Sequence, residues 1–157
     1  MQTIFRQNNN EDVKQPVIAA NSEVFKDGTL VSKNSSGFLI VATAGTRIYG
    51  ICREEVTVSA SNQTVAKVCP LVIDPVGVDM SMLGDQALTQ TDLDTFMDIS
   101  TVSAGLQTVA VSTATTSGQL APQGMQSLFD GSPTWVGNTT QLIVRVAEYQ
   151  DLAYAQA

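Results

Sequence analysis

The chain has no histidine in its 157 residues. That absence excludes a histidine-dependent serine or cysteine triad, because neither nucleophile would have its usual base. Only two cysteines occur, Cys52 and Cys69, and two thiols without histidine are an incomplete zinc set. Both sit in apolar, strand-like surroundings and read as small buried hydrophobes. A disulfide between them stays open, since it depends on their strands being neighbours. Charged residues make up 15% of the chain, and basic ones are the scarcer kind, eight Lys and Arg against fifteen Asp and Glu, for a net charge of −7. A nucleic-acid binder replaces phosphate counterions with clustered cations, and eight scattered ones form no patch. The same balance disfavours an anionic membrane surface. No apolar run approaches the roughly 20 residues of a membrane span. The start, MQTIFRQNNNEDVKQ, lacks the basic-then-apolar succession of a secretory signal. A soluble protein made in the cytoplasm is expected. No P-loop, dinucleotide-binding, nucleophile-elbow or zincin string occurs.

What the chain does have is short apolar runs separated by turn residues. Lys26 to Cys52, KDGTLVSKNSSGFLIVATAGTRIYGIC, holds Leu30–Val31, Phe38–Ala42 and Ile48–Cys52, with Asn34-Ser35-Ser36-Gly37 and Ala44-Gly45-Thr46 between them. Runs this short, rich in β-branched residues and bounded by Gly, Asn and Ser, predict a tight antiparallel meander. Glu55 to Ser61 alternates with period two, as a half-buried strand does. Thr64 to Ile73 predicts a strand that Pro70 confines to an edge or breaks. Asp74 to Gln86, with Pro75, Gly77 and Gly84, reads as an irregular loop over the core. Ala87 to Ser100 carries the best helical signal, one or two turns capped by Thr89 or Thr91. Leu106, Val109 and Val111 predict a further strand, and Ser117 to Gly137 a long connection. Gln141 to Tyr149 is the cleanest strand, with Leu142, Val144 and Val146 on one face.

About nine short strands with no long helix predict an all-β fold, a small antiparallel β-barrel or β-sandwich with long loops. The expected organisation is an N-terminal arm over 1–15, a β domain over 16–149 and a tail over 150–157. The arm has two readings. It is either a frayed terminus with a stray strand, or a segment whose Ile4 and Phe5, with Arg6 beside them, dock on another subunit. Phe129 and Trp135 lie in the Pro/Gly-rich connection, either plugging the barrel mouth or anchoring a protein contact. Asp92, Asp94 and Asp98 are the best candidates for a carboxylate pair or a calcium site. The spacing lacks an EF-hand's glycine and distal glutamate, and helix-start capping is the preferred reading. No catalytic residue, metal or cofactor is expected.

Two stretches carry a resemblance. DGTLVSKNSSGFLIVATAGTRIYGIC and GNTTQLIVRVAEY, about a quarter of the chain, together resemble the small phage head decoration, or capsid cement, proteins. The resemblance implies a non-catalytic β-barrel or β-sandwich attached to the outside of an assembled shell of major capsid protein. It implies self-association, with a trimer favoured. A phage tail or fibre protein, or a non-catalytic carbohydrate-binding β domain, is the alternative. Against these stand the lack of internal repeats and an aromatic content of 6%.

Overall fold

In a computed structural model, which describes residues 3–6, 13–113, 118–125 and 141–147, the chain is all-β. Curled antiparallel and mixed sheets form a half-barrel with 40% strand and no helix of seven residues or more. The strands are β1 (Thr3–Arg6), β2 (Val24–Phe25), β3 (Leu30–Lys33), β4 (Leu39–Val41), β5 (Gly50–Cys52), β6 (Val56–Thr57), β7 (Val72–Ile73), β8 (Asp79–Gly84), β9 (Ile99–Ser103), β10 (Leu106–Val109), β11 (Leu120–Met125) and β12 (Gln141–Val146). Two 3-10 helices, Gln90–Asp94 and Val111–Thr113, complete the described elements.

The four-stranded sheet runs β4-β3-β5-β7, so the stretch Lys26–Cys52 is not the sequential meander its turns predict. β5 pairs with β3 and leaves β4, with Leu30 opposite Ile51 and Val31 opposite Val41. Leu30, Val31 and Ser32 are all buried, as in a layer covered on both faces, and β3 is central because it pairs with β4 on one edge and β5 on the other. The Asn34–Gly37 turn forms as predicted. Asn34 Oδ1 accepts from the amides of Ser36 and Phe38, both at 3.0 Å.

This sheet is the middle of three layers. Leu30, Ile51 and Ile73 pack into one cluster with Met80, Met82, Ile99, Leu120, Leu142 and Val144 of the six-stranded sheet. Val31, Cys52 and Val72 face the other way, toward Phe25, Val58 and Ala19. Their alternation is the period of two expected of a strand. Each fully buried aliphatic side chain contributes about 1.5–3 kcal/mol. Gly50 fits this tight middle layer, since a Cβ there would lie 2.4 Å from Val72 Cγ1.

The six-stranded sheet is ordered β11-β12-β8-β10-β9, with β1 also on β8. β12 takes one edge of β8, from Met80 to Leu83. The other edge forks, with β1 opposite Asp79–Ser81 and β10 running parallel at Leu83–Gly84. The predicted irregular loop at 74–86 therefore contains a central strand. The strand at Glu55–Ser61 shrinks to Val56–Thr57. Beyond it, a turn at Ser59–Val65 is held by Asn62, whose side chain donates to Ala19 O at 2.8 Å and accepts from Val68 N. Thr64–Ile73 keeps only Val72–Ile73. The expected long connection from Ser117 begins with β11, which carries Pro122 within it. β9 and β10 join at Ala104 (φ 49°) and Gly105 (φ 79°), the paired positive φ of a type I′ hairpin.

Two buried glutamines tie the six-stranded sheet to the middle layer. Gln107 of β10 accepts from Leu30 N at 2.8 Å and donates to Leu30 O and Ala42 O, both at 2.9 Å. Gln119 accepts from Ile99 N and donates to Thr43 O and Thr46 O. A buried backbone group left unpaired costs about 1–3 kcal/mol. Gln107→Leu keeps the volume and strands Leu30 N and Ala42 O, so it should lower stability by about 2–4 kcal/mol. Urea denaturation of wild type and variant, compared at matched m-values, measures the loss.

Candidate functional site

Two of the acidic residues singled out in the sequence, Asp92 and Asp98, have separate structural roles. Asp92 Oδ2 accepts from the Thr89 amide and hydroxyl, both at 2.7 Å. It thereby closes the start of the 3-10 helix Gln90–Asp94, whose N-cap is Thr89. Asp98 Oδ1 accepts from Gln119 N at 3.1 Å, helping to seat the glutamine that links the layers. Asp94 is exposed. Among the described residues no three His, Cys, Asp or Glu side chains are grouped to hold a metal ion.

The two cysteines are both free, and they differ. Cys52 is buried as expected, whereas Cys69 is exposed. The apolar letters around Cys69 misled because this segment is mostly irregular, and only Val72 and Ile73 of it enter a sheet. Burial, with the charges of Glu54 and Asp27 adding and the hydrogen bond to Glu54 O opposing, pushes the Cys52 thiol up to about 11. It stays protonated at neutral pH and is a poor nucleophile.

Charged groups gather where the β9–β10 hairpin meets the β2–β3 turn. A cleft of about 260 Å³ is lined there by Lys26, Asp27, Glu55 and Leu106. The hairpin tip is fixed by Thr29, whose hydroxyl donates to Gly105 O at 2.7 Å. Lys26 pairs with Glu55, and Arg53 Nε meets Asp27 Oδ1 at 2.8 Å. Exposed pairs of this kind contribute little stability. Elsewhere Lys33 and Lys14 lie 4.2 and 5.2 Å from the centroid of the Tyr49 ring, and the Tyr49 hydroxyl donates to Gln15 O.

The third charged feature is internal. Asp79 is fully buried at the start of β8, and its Oδ1 receives Arg145 Nε at 2.8 Å and Nη2 at 2.7 Å from β12. The β1 register sets Arg6 opposite the same Asp79. An aspartate on the central strand is thus flanked in register by an arginine position on each neighbouring strand. Sequence reading missed Asp79 because an acid beside Val78 and Gly77 looks like loop. The clue was Arg145, the one cation in the cleanest strand.

Of the residues expected to contact a partner, Ile4, Phe5 and Arg6 fall on β1, whose backbone is paired with β8. Residues 7–12 lie outside the described residues; Val13 is bridged to Ile73, and the Lys14 amide donates to Val72 O. Phe129 and Trp135 lie outside the described residues. No helix among the described residues is long and apolar enough to cross a membrane. No family model, curated protein or solved structure matches the chain.

Two measurements check these assignments. A membrane-permeant or aqueous maleimide should label Cys69 alone in the native protein and Cys52 only after denaturant is added, as read by intact mass. Double labelling under native conditions would contradict the burial of Cys52. The second measurement is pH-dependent. Burial raises Asp85, but the Ser112 hydroxyl and the Ser112 and Val111 amides outweigh it and hold the carboxyl below its ordinary 3.8. A depressed carboxyl stabilises the fold above its unfolded pKa, and that contribution is lost as pH falls through the folded value. Glu23 runs the other way. Burial raises it above 4.5 despite its bond from Val41 N, so it favours the fold on acidification and loses that contribution as pH rises. Asp85→Asn should melt lower than wild type at pH 7, with the gap closing below about pH 4. Glu23→Gln should melt higher at pH 7, with its gain vanishing in acid.

Proposed function

We propose that this protein is a non-catalytic structural component of a phage virion, binding the outside of an assembled capsid shell and stabilising it. The observation that carries the reading is where the interior polar chemistry goes. Gln107, Gln119, Asn62 and Thr29 are each bonded to backbone between layers or across turns, and Asp79 to Arg145. Cys52 is held as a thiol. These groups are committed to the frame, as suits a protein whose task is to persist rather than to turn over a substrate. The two stretches that carry the resemblance also supply the frame: Asp27–Cys52 contains the middle-layer strands β3, β4 and β5, and the closing stretch contains β12.

The physical logic is linkage. A ligand that binds only the assembled, expanded shell stabilises it by RT ln(1 + [L]/Kd) at each site, and repetition over many sites multiplies the effect. The net charge of −7 keeps decorated particles mutually repulsive. The major capsid protein is the proposed partner, the capsid exterior the proposed location, and Ile4, Phe5, Arg6, Phe129 and Trp135 the proposed contact residues. Self-association on the shell, as a trimer, belongs to the same reading.

Co-sedimentation with expanded, DNA-free shells assembled from a phage major capsid protein tests it. Saturable binding that raises the shell's melting temperature is the expected result. Ile4→Ala with Phe5→Ala, and separately Trp135→Ala, should weaken it at least tenfold. A protein that stays in the supernatant at every concentration would remove the shell reading.

A further inference from the structure

The cleft of about 260 Å³ between the β9–β10 hairpin and the β2–β3 turn plays no part in the shell reading, and both of its walls are fixed. The Thr29 hydroxyl accepts from Lys26 N at 2.9 Å and donates to Gly105 O at 2.7 Å. A Cβ at Gly105 would lie 2.7 Å from Val24 O and 3.1 Å from Lys26 N, so the hairpin tip sits flush on the turn. Gly28 N donates to Cys52 O at 2.8 Å, which ties the turn to β5. A cavity between pinned walls is preformed, and binding there costs little in ordering the protein.

Its chemistry is that of a slot for an amphipathic cation. The lining is largely apolar, from Leu106 and the stem of Lys26, and Leu106 is 44% exposed on its hairpin. Asp27 and Glu55 also line it, with side chains 57% and 68% exposed. Each meets its cation through one carboxylate oxygen, Glu55 Oε1 with Lys26 and Asp27 Oδ1 with Arg53. Exposed Glu54 adjoins them, so three acids stand with two bases. Lys26 itself shows the fit, its stem along the cleft and its ammonium on Glu55. Long basic side chains lay an apolar stem on protein and keep the charged head in water. An exposed pair of this kind contributes little, so a second cation can take the place of Lys26.

Size and charge select the occupant. The cleft falls below the roughly 300–1,000 Å³ of small-molecule sites and suits a single long side chain. The net charge of −7 steers basic partners toward the chain and repels nucleic acid. We propose that this cleft is a docking slot for a lysine or arginine side chain on a basic segment of a partner protein. The stem lies against Leu106, and the head takes the place of the Lys26 ammonium at Glu55, with Asp27 adding a second carboxylate. The slot stands independently of the shell reading, since its test contains no capsid.

The full chain is titrated with a hexalysine peptide at low salt, and binding is read from backbone amide chemical shifts. Shifts should concentrate at Asp27, Gly28, Glu55, Gly105 and Leu106. Glu55→Gln should weaken binding about tenfold, and Leu106→Ser about threefold at unchanged net charge. Asp94→Asn removes the same charge from an exposed acid that does not line the cleft, and should change affinity less than about twofold. Lys26→Ala removes the resident cation and should tighten binding. It should do so more than Lys67→Ala, which changes net charge equally at an exposed lysine that does not line the cleft. All five variants alter side chains with exposed surface, and the amide spectra themselves verify that each stays folded. Equal effects of Glu55→Gln and Asp94→Asn, or shifts spread over the whole surface, mean attraction by net charge alone and overturn the slot. So does an absence of binding at low salt. Spermidine binding more tightly than the peptide would assign the cleft to a free polyamine and overturn the docking reading.

Discussion

The amide of Gln107 is the joint on which the layered arrangement depends. It grips the peptide group of Leu30 from both sides, accepting from its N–H and donating to its carbonyl, and reaches Ala42 O as well. A side chain thereby completes a ladder where β10 leaves the edge of β8. Without it the middle sheet would present bare backbone to an apolar interior, at a cost of about 1–3 kcal/mol per unpaired group. Gln119 repeats the device at the Thr43–Thr46 turn. Hydrophobic contact alone would let the two curled sheets slide, because burial is non-directional. The glutamines are what give the interface one arrangement.

The legibility of the sequence follows from this. β12 is plain from the alternation of Leu142, Val144 and Val146, although Ile143 and Ala147 on its other face are buried as well. Of the two candidate caps, Thr89 and Thr91, the structure uses Thr89. The all-β class and the Asn34 turn are equally plain, because each rests on local chemistry. The order of strands was not. β3 looks like the first arm of a hairpin series, and what makes it central is the return of β5 to its free edge, a non-local pairing that no turn signals. The third layer, which covers Val31 and Cys52, is built from Ala19, Phe25 and Val58, residues too scattered to mark themselves as a unit.

The candidate site was harder still. Gln107 and Gln119 do not stand out, since an amide carries no sign of being buried until its partners are known. Asp92 caps the short helix, as the preferred reading of the acidic cluster has it, whereas Asp98 bonds the Gln119 amide twenty-one residues along the chain, which no local pattern signals. Arg6 was singled out for a partner contact, and its register opposite Asp79 could be seen only once β1 had a neighbour.

β8 shows why polar residues were retained at the centre. Its inward pair is Met80 and Met82, both essentially buried. Methionine is unbranched and adaptable, so it fills space well and specifies position poorly. A slip of two residues against β12 would keep every side chain on its face and lose little packing. The polar neighbours forbid that slip. Asp79 meets Arg145 at one end of the pairing, and Ser81 accepts from Gln141 at the other. Moving either by two positions would leave a carboxylate buried without its guanidinium, which costs about 3–5 kcal/mol. The stability this pair contributes relative to an apolar one is small. Its effect is on register, which for the strand shared by β1, β10 and β12 decides the alignment of the whole sheet.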